Sequence, residues 1–349
     1  MVSHKQFDIN NFKISQESPC FIIAEIGQNH DGSLGTAHAF IDAVSKTGAH
    51  AIKFQTHIAS KESTPEEPWR IKFSYQDDSR YDYWKRMEFS KEHWKGIADH
   101  CKEKDLVFLS SAFSEEAICL LESINMPAWK IASGEVSNTK LLKAIAKTNN
   151  PVLISSGMSS ITEIQSAIDI VKASCPYSVL QCTSAYPCPP EKLGLNMIPI
   201  YRTAFDCPVG LSDHSGEIFS GLAASVIGID ILEVHVTLSK EMFGPDISSS
   251  ITTQDLSTLV KGIRYNEIIN RNPVDKNQLA KELQPLRDLF TKSIVSKVDI
   301  PANTIITKSM ITAKKPGTGI PEKDMNLIIG KLTVLDIEKD KVIKKEFLK

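Results

Sequence analysis

Residues 230–237 read DILEVHVT. In an extended chain successive side chains point to opposite faces, so Leu232, Val234 and Val236 share one face while Glu233 and His235 share the other. A carboxylate and an imidazole on the inner face of an apolar strand are what a (β/α)8 barrel uses, because there the carboxyl ends of the strands carry the chemistry.

The surrounding chain repeats the pattern. Short β-rich runs occupy 20–26, 51–56, 106–113, 128–133, 151–157, 177–184, 208–213 and 230–237. Helical patterns follow them at 33–48, 90–104, 115–124, 138–149, 159–174, roughly 195–205, 216–228 and 252–270. Strands alternating with helices favour a parallel sheet. Eight such units in about 250 residues suit a closed α/β fold, the (β/α)8 TIM barrel, with an open doubly wound sheet as the alternative. The barrel is expected to span 1–270, followed by a linker at 271–289 and a small β-rich domain at 290–349. A polar and aromatic insertion at 57–89 separates the second strand from its helix. Trp69, Phe73, Tyr75, Tyr81, Tyr83 and Trp84 argue against disorder there, and the segment reads as a wall of the site.

Other strands repeat the inward polar parity. The second pairs Lys53 with Gln55, the sixth Gln181 with Thr183 and the seventh Ser212 with His214. The first ends in Glu25, with Asn29 and His30 beyond it, and the fourth brings Lys130, Ser133 and Glu135. Burying an unpaired charge costs on the order of several kcal/mol, so such a cluster marks a place where a ligand completes the pairing. Lys53 and Lys130, with hydroxyls at Ser110–Ser111, Ser133 and Ser155–Ser156, make an oxyanion cradle for phosphate or carboxylate. His214 and His235, on neighbouring strands with Asp213 and Glu25 near, suit a divalent transition metal such as Mn2+, Co2+ or Zn2+ acting as a Lewis acid.

Composition narrows the partners. The chain has 349 residues, 42% hydrophobic and 23% charged, and its net charge of −2 arises from interspersed charges. Neither a nucleic-acid footprint nor a polybasic membrane patch is present. The start, MVSHKQFDINNFKISQ, has no apolar leader core, and no stretch has the apolar length of a membrane span, so a cytoplasmic location is expected. Seven cysteines without a C-x-x-C pair lie mostly in apolar segments and indicate neither disulfides nor a zinc ribbon.

In chain order, FIIAEIGQNHDGSL, KFQTHIA, WKIASGE, ISSGM, LQCTSAYP, GLSDHS, LEVHVT and GPDIS resemble the sialic acid synthase family over essentially the whole chain. The tail resembles the antifreeze-like (SAF) domain joined to the barrel in that family. The resemblance implies condensation of phosphoenolpyruvate with N-acetylmannosamine, releasing phosphate with C–O cleavage to give a nine-carbon 2-keto acid. It implies a divalent metal, Mn2+ foremost with Mg2+ or Co2+ as alternatives, held by His214 and His235. Phosphoenolpyruvate would be bound by Lys53, Ser111, Lys130, Ser133, Ser155 and Ser212. Glu25, Lys130 and Glu135 would be catalytic, with Glu25 also touching the sugar beside Gln55, Tyr186 and Asp246. Lys315 stands where many members have an arginine reaching the neighbour's sugar, in a domain-swapped homodimer, and Ser184 where many have asparagine. A compact ammonium cannot copy the planar guanidinium fork. Legionaminate or pseudaminate synthesis from a 2,4-diacetamido sugar stays open, as does a Schiff-base aldolase using Lys130. A sugar- or ice-binding module is suggested only by the tail.

Overall fold

The computed structural model describes residues 5–349, so the first four residues of the stretch read for a leader lie outside it. Eight strands form the barrel: β1 (Phe21–Gly27), β2 (Ala51–Thr56), β3 (Val107–Ala112), β4 (Trp129–Ile131), β5 (Val152–Ser155), β6 (Tyr177–Cys182), β7 (Val209–Asp213) and β8 (Ile231–Thr237). Each pairs in parallel with the next, and β8 closes the ring by pairing with both β7 and β1. The alternating helices are α1 (Leu34–Val44), α2 (Lys91–Glu103), α3 (Glu115–Glu122), α4 (Thr139–Ala146), α5 (Ile161–Val171), α6 (Met197–Phe205), α7 (Phe219–Ile227) and α8 (Thr253–Arg271). The barrel reading of the sequence therefore holds and the open sheet is excluded.

The local chemistry explains where the helices begin. Ser33, Ser90, Ser114, Asn138 and Ser160 cap α1 to α5, each side chain accepting the backbone N–H of the third helical residue. A cap of this kind contributes about 1 kcal/mol, and it fixes the turn between each strand end and its helix.

The barrel interior is layered. Phe21, Ile23, Ala51, Val107, Leu109, Leu153, Leu180 and Ile231 form an apolar lower layer, sealed by Phe7, Ile9 and Ile14 from the antiparallel hairpin Phe7–Ile9/Phe12–Ile14. Two residues further along the same inward rows stand Glu25, Lys53, Ser111, Ser155, Cys182, Ser212 and Glu233, all buried. Close packing beneath and polar groups above are the expected division in a barrel whose mouth holds the chemistry.

One inward assignment is corrected. In β6 the inner row is Ser178, Leu180 and Cys182, since Leu180 belongs to the lower interior layer and Cys182 is in register with Ser212. Gln181 therefore points outward, donating to the Leu193 carbonyl at 3.0 Å, and Thr183 donates to the Lys192 carbonyl at 2.7 Å. Both brace the loop after β6. Six of the seven free cysteines are buried, but Cys119 is exposed on α3.

The insertion is ordered and partly helical, with turns at Ala59–Glu62 and Arg80–Met87, the latter closed by a Ser79/Asp82 capping box. Arg86 pins it to the loop after β1: it bonds Asp77 at 2.7 Å and both the carbonyl and the carboxylate of Asp31 at 2.8 and 2.9 Å. Trp69, Phe73 and Tyr83 form an edge-on aromatic cluster, with Phe243 against Phe73 at 5.6 Å.

One compact unit ends at Arg271 and a second covers Asn272–Lys349. The second opens with two short helices, Lys276–Glu282 and Gln284–Phe290. Its strands Ser293–Ser296 and Ile311–Lys314 pair antiparallel, while the remaining β-like pieces make only isolated bridges around a core of isoleucines that includes Ile294, Ile306 and Ile343. Among the described residues no helix is long and apolar enough to cross a membrane.

Candidate active site

The mouth of the barrel is organised around four buried charges. Lys53 Nζ lies 2.7 Å from Glu25 and 3.9 Å from Glu233, and Lys130 Nζ lies 3.1 Å from Glu233. Ser212 donates to Glu233 at 2.9 Å, Lys53 to Ser111 at 3.3 Å and Gln55 to Glu25 at 2.8 Å. The pairing follows from register: Glu25 lies opposite Lys53 across β1–β2, and Ser212 opposite Glu233 across β7–β8.

The two carboxylates titrate in opposite directions. Burial, reinforced by the neighbouring Glu233, pushes the Glu25 carboxyl up to about 7 against the pull of Lys53. Burial opposes ionisation of Glu233 too, but Lys130 and Lys53 outweigh it and hold that carboxyl down at about 2. Lys53 is likewise kept cationic, its burial offset by Glu233 and Glu25. Lys53 and Lys130 thus face one full carboxylate and one that is partly protonated at neutral pH, so the carboxylates do not cancel the basic pair and an anion is favoured.

Hydroxyls surround this charge. Ser155 Oγ is buried without a hydrogen-bond partner. Ser133 and Ser184 share a hydrogen bond of 3.0 Å. They approach Gly157, whose φ of +37° already disfavours a side chain, and a Cβ there would lie 1.9 Å from Ser133 Cβ. An orphaned hydroxyl and a cradle that admits no side chain are both suited to an anionic oxygen.

His214 and His235 lie side by side with ring centroids 5.0 Å apart and planes tilted by 55°. His214 Nδ1 bonds the Thr183 carbonyl at 2.9 Å, which leaves the opposite ring nitrogen with a lone pair. Burial, then the adjacent His235, pushes His214 down to about 3; burial also lowers His235, whose buried Nδ1 has no partner. Two adjacent neutral imidazoles with unused nitrogens fit a divalent metal that keeps open positions. Among the described residues no set of three His, Cys, Asp or Glu is arranged to hold one. Asp213, offered by the sequence as a neighbour of this pair, turns outward and accepts from the Ser215 amide at 3.0 Å and from the Ser215 and Ser220 hydroxyls.

Tyr186 lies against His214 at 4.2 Å between ring centroids. It also meets His235 edge-on at 6.0 Å and Arg70, from the insertion, whose guanidinium is 4.4 Å from the ring centroid and bonds Asp246 at 2.9 Å. A Cβ at Gly27, which has φ +55°, would sit 3.4 to 3.6 Å from Gln55, Glu25 and Asp246 at once, so these three expected sugar-binding groups converge on one spot. Glu135 is set apart. It accepts from Asn138 at 2.7 Å, its carboxyl is raised by burial, and no hydrogen bond or ion pair among the described residues joins it to Glu25 or Lys130. Asn29 and His30 brace the first loop: Asn29 donates to the Val236 carbonyl at 2.9 Å, and His30 accepts from the Gly32 amide. Lys315 belongs to the second unit.

Two further residues join the site: Glu233, which the sequence places inward without a role, and Arg70, which it does not place. Glu233 carries a legible signal, its shared face with His235 and burial in an apolar strand. Arg70 carries none, because an irregular segment has no period from which to read direction.

Residues 40–273 match the NeuB family model and residues 291–349 the SAF domain model. The chain belongs to the NeuB family. It is 35% identical over 343 residues to the N-acetylneuraminate-9-phosphate synthase of Homo sapiens, covering 96% of this chain and 94% of that protein. It is 31% identical over 330 residues to the N,N'-diacetyllegionaminic acid synthase of Campylobacter jejuni, covering 93% and 98%. The solved structure of an N-acetylneuraminic acid synthetase from Leptospira borgpetersenii, in complex with citrate, superposes with a TM-score of 0.71 at 28% identity, over 81% of this chain and 98% of that one. The NeuB-family chain is accordingly a sialic acid or nonulosonate synthase, a condensing enzyme built on the barrel described above.

Proposed function

We propose that the protein condenses phosphoenolpyruvate with N-acetylmannosamine to N-acetylneuraminate, using a divalent metal. The observation that carries this reading is the four-charge cluster of Lys53, Lys130, Glu25 and Glu233 beside two neutral, metal-ready histidines. Lys53 and Lys130, with Ser111, Ser133, Ser155 and Ser212, hold the phosphate and carboxylate of phosphoenolpyruvate. Glu25, Gln55, Tyr186 and Asp246 hold the open-chain sugar. His214 and His235 would hold a divalent metal, with Mn2+ expected and Mg2+ or Co2+ as alternatives, which would supply Lewis acidity to the sugar aldehyde.

In the reaction C3 of phosphoenolpyruvate forms a bond to C1 of the sugar, and the aldehyde oxygen gains a proton. Glu25, protonated in part at neutral pH, is the group that donates it. Water then adds at C2 and one of its protons restores Glu25; the C2–O bond to phosphate breaks as the remaining hydroxyl proton passes to the departing phosphate, leaving the 2-keto acid and inorganic phosphate. Glu135 serves as a second proton-handling group at the rim. We further propose a cytoplasmic enzyme and a domain-swapped homodimer, with Lys315 of one chain meeting the sugar of the other.

The experiment is phosphate release from phosphoenolpyruvate against N-acetylmannosamine, its 6-phosphate and a 2,4-diacetamido sugar, with Mn2+ and with EDTA. Turnover confined to the diacetamido sugar would replace the substrate by a legionaminate or pseudaminate precursor. Turnover that survives EDTA, with a pyruvate adduct trapped on Lys130 by borohydride, would overturn the metal-dependent reading.

A further inference from the structure

His57 is a buried imidazole that the mechanism above leaves without a task. It follows β2 and stands between two aromatic rings, Trp84 at 4.1 Å and Phe113 at 4.4 Å between centroids, nearly parallel to both. Its Nδ1 is paired with Glu62, and its Nε2 is 3.3 Å from Gln55 Oε1. Gln55 in turn donates from Nε2 to Glu25 Oε1 at 2.8 Å. A continuous chain of hydrogen bonds therefore runs from Glu62 through His57 and Gln55 to the carboxyl placed at the centre of the site.

The amide of Gln55 is the decisive link. Turned one way it offers an N–H to Glu25; turned the other it sets a carbonyl oxygen against a carboxylate, and the contact becomes repulsive. What selects the first orientation is a donor on the carbonyl side. The imidazolium form of His57, donating from Nδ1 to Glu62 and from Nε2 to Gln55 Oε1, supplies it, with Gln28 Nε2 as a longer second donor at 3.4 Å. His57 is held for this by Glu62 and by the flanking rings, and both Glu62 and Trp84 come from the 57–89 insertion. We propose that His57 is a positioning residue for Glu25, acting through the Gln55 amide, and that it makes the orientation of Glu25 depend on correct folding of the insertion. The inference rests on the reading of Glu25 as the proton donor to the sugar.

The test is steady-state kinetics of the full chain with Mn2+ for His57→Ala, Glu62→Gln and Glu25→Gln, with folding followed by tryptophan fluorescence. His57→Ala should lose about 10- to 100-fold in kcat, the size expected when a catalytic group is misplaced by about 1 Å, while KM for phosphoenolpyruvate stays within about twofold. Free imidazole, which fits the slot between Trp84 and Phe113, should restore part of the lost turnover to His57→Ala and none to Glu25→Gln. If His57→Ala does not fold, Glu62→Gln carries the test, with a smaller loss confined to kcat and the sugar KM. Wild-type kcat in the folded His57→Ala protein, or in Glu62→Gln, overturns the proposal, as does a loss in His57→Ala that imidazole leaves untouched. Wild-type turnover by Glu25→Gln instead overturns the underlying reading of Glu25, so the two failures are separable.

Discussion

Glu233→Gln should weaken the fold and strengthen the substrate complex at the same time. The carboxylate is the one ion-pair partner of Lys130 among the described residues, at 3.1 Å, and it also stands 3.9 Å from Lys53. The amide keeps the shape and can keep the Ser212 hydrogen bond, and Lys53 retains Glu25 at 2.7 Å. The loss therefore falls on Lys130, left buried without a counter-ion. Breaking a buried pair from one side costs about 3–5 kcal/mol, and the retained contacts place the expected loss near about 3 kcal/mol. Trp69, Trp84, Trp94 and Trp129, the only tryptophans, all lie in the barrel unit, so a urea titration followed by tryptophan fluorescence reports on that unit alone. Kinetics should move the other way. With one negative charge removed from the cradle, KM for phosphoenolpyruvate should fall. Glu233 is one cause of the raised Glu25 carboxyl, so the alkaline limb of the pH profile should move below 7. A destabilisation under about 1 kcal/mol, the range of an exposed pair, together with an unchanged KM and an unchanged pH limb would refute the four-charge account.

Other perturbations test other parts of the site. Gly157→Ala forces a Cβ into contact with Ser133 at a left-handed φ, so phosphoenolpyruvate affinity should drop at least about tenfold, with about 1–3 kcal/mol of destabilisation, by kinetics and urea titration. Arg70→Ala frees Asp246 and Tyr186 together and should raise the sugar KM several-fold while leaving that for phosphoenolpyruvate unchanged. His235→Ala should abolish phosphate release at saturating Mn2+ while the urea midpoint stays near wild type; wild-type turnover would remove the metal role. For pH, Glu25 must be protonated to donate, so kcat/KM for the sugar should fall as pH rises through about 7, and Glu25→Gln should lack that limb. Its effect on stability has the same sign. A carboxyl raised from 4.5 to about 7 in the fold contributes stability below 4.5 that is lost as pH rises to about 7, whereas Glu233, depressed to about 2, contributes stability above 4.5 that is lost as pH falls.

Parity along the strands made much of this site readable in advance. Lys53, Glu233 and His235 can be placed inward because their strand neighbours are apolar, and a one-residue shift would bury the wrong row. The same rule failed in β6. Residues 177–184 alternate weakly, with Val179 and Leu180 adjacent, so the sequence favours the polar Gln181 and Thr183 for the inner row, whereas Leu180 fills the barrel interior in the structure. Asp213 misled for a related reason: one residue from His214 along a strand, it must face the other way, and there it caps the loop into α7. The insertion hid most, because its aromatic content announces order without stating direction. Arg70 reaches Tyr186 and Asp246 through contacts distant in sequence that no local period encodes, and His57, two residues from Gln55, lies past the end of β2 where strand parity no longer fixes direction.

An anion site and a proton donor make opposing demands on their surroundings. Lysines gathered to hold phosphate and carboxylate also pull down the pKa of any carboxyl among them, and a donor held at its ordinary value would be spent at neutral pH. The barrel separates the two demands by register. Glu233 stands between Lys53 and Lys130 and absorbs their field, so it remains a carboxylate, and with Glu25 it keeps Lys53 cationic. Glu25, one strand away, meets Lys53 alone among the ammonium groups and also feels Glu233, so burial prevails and its proton is retained close to neutrality. Replacing Glu233 by an apolar residue would satisfy the packing of β8 but would turn both lysines onto Glu25. On this account the carboxylate without a direct part in the bond-making step is what allows the other to act as an acid.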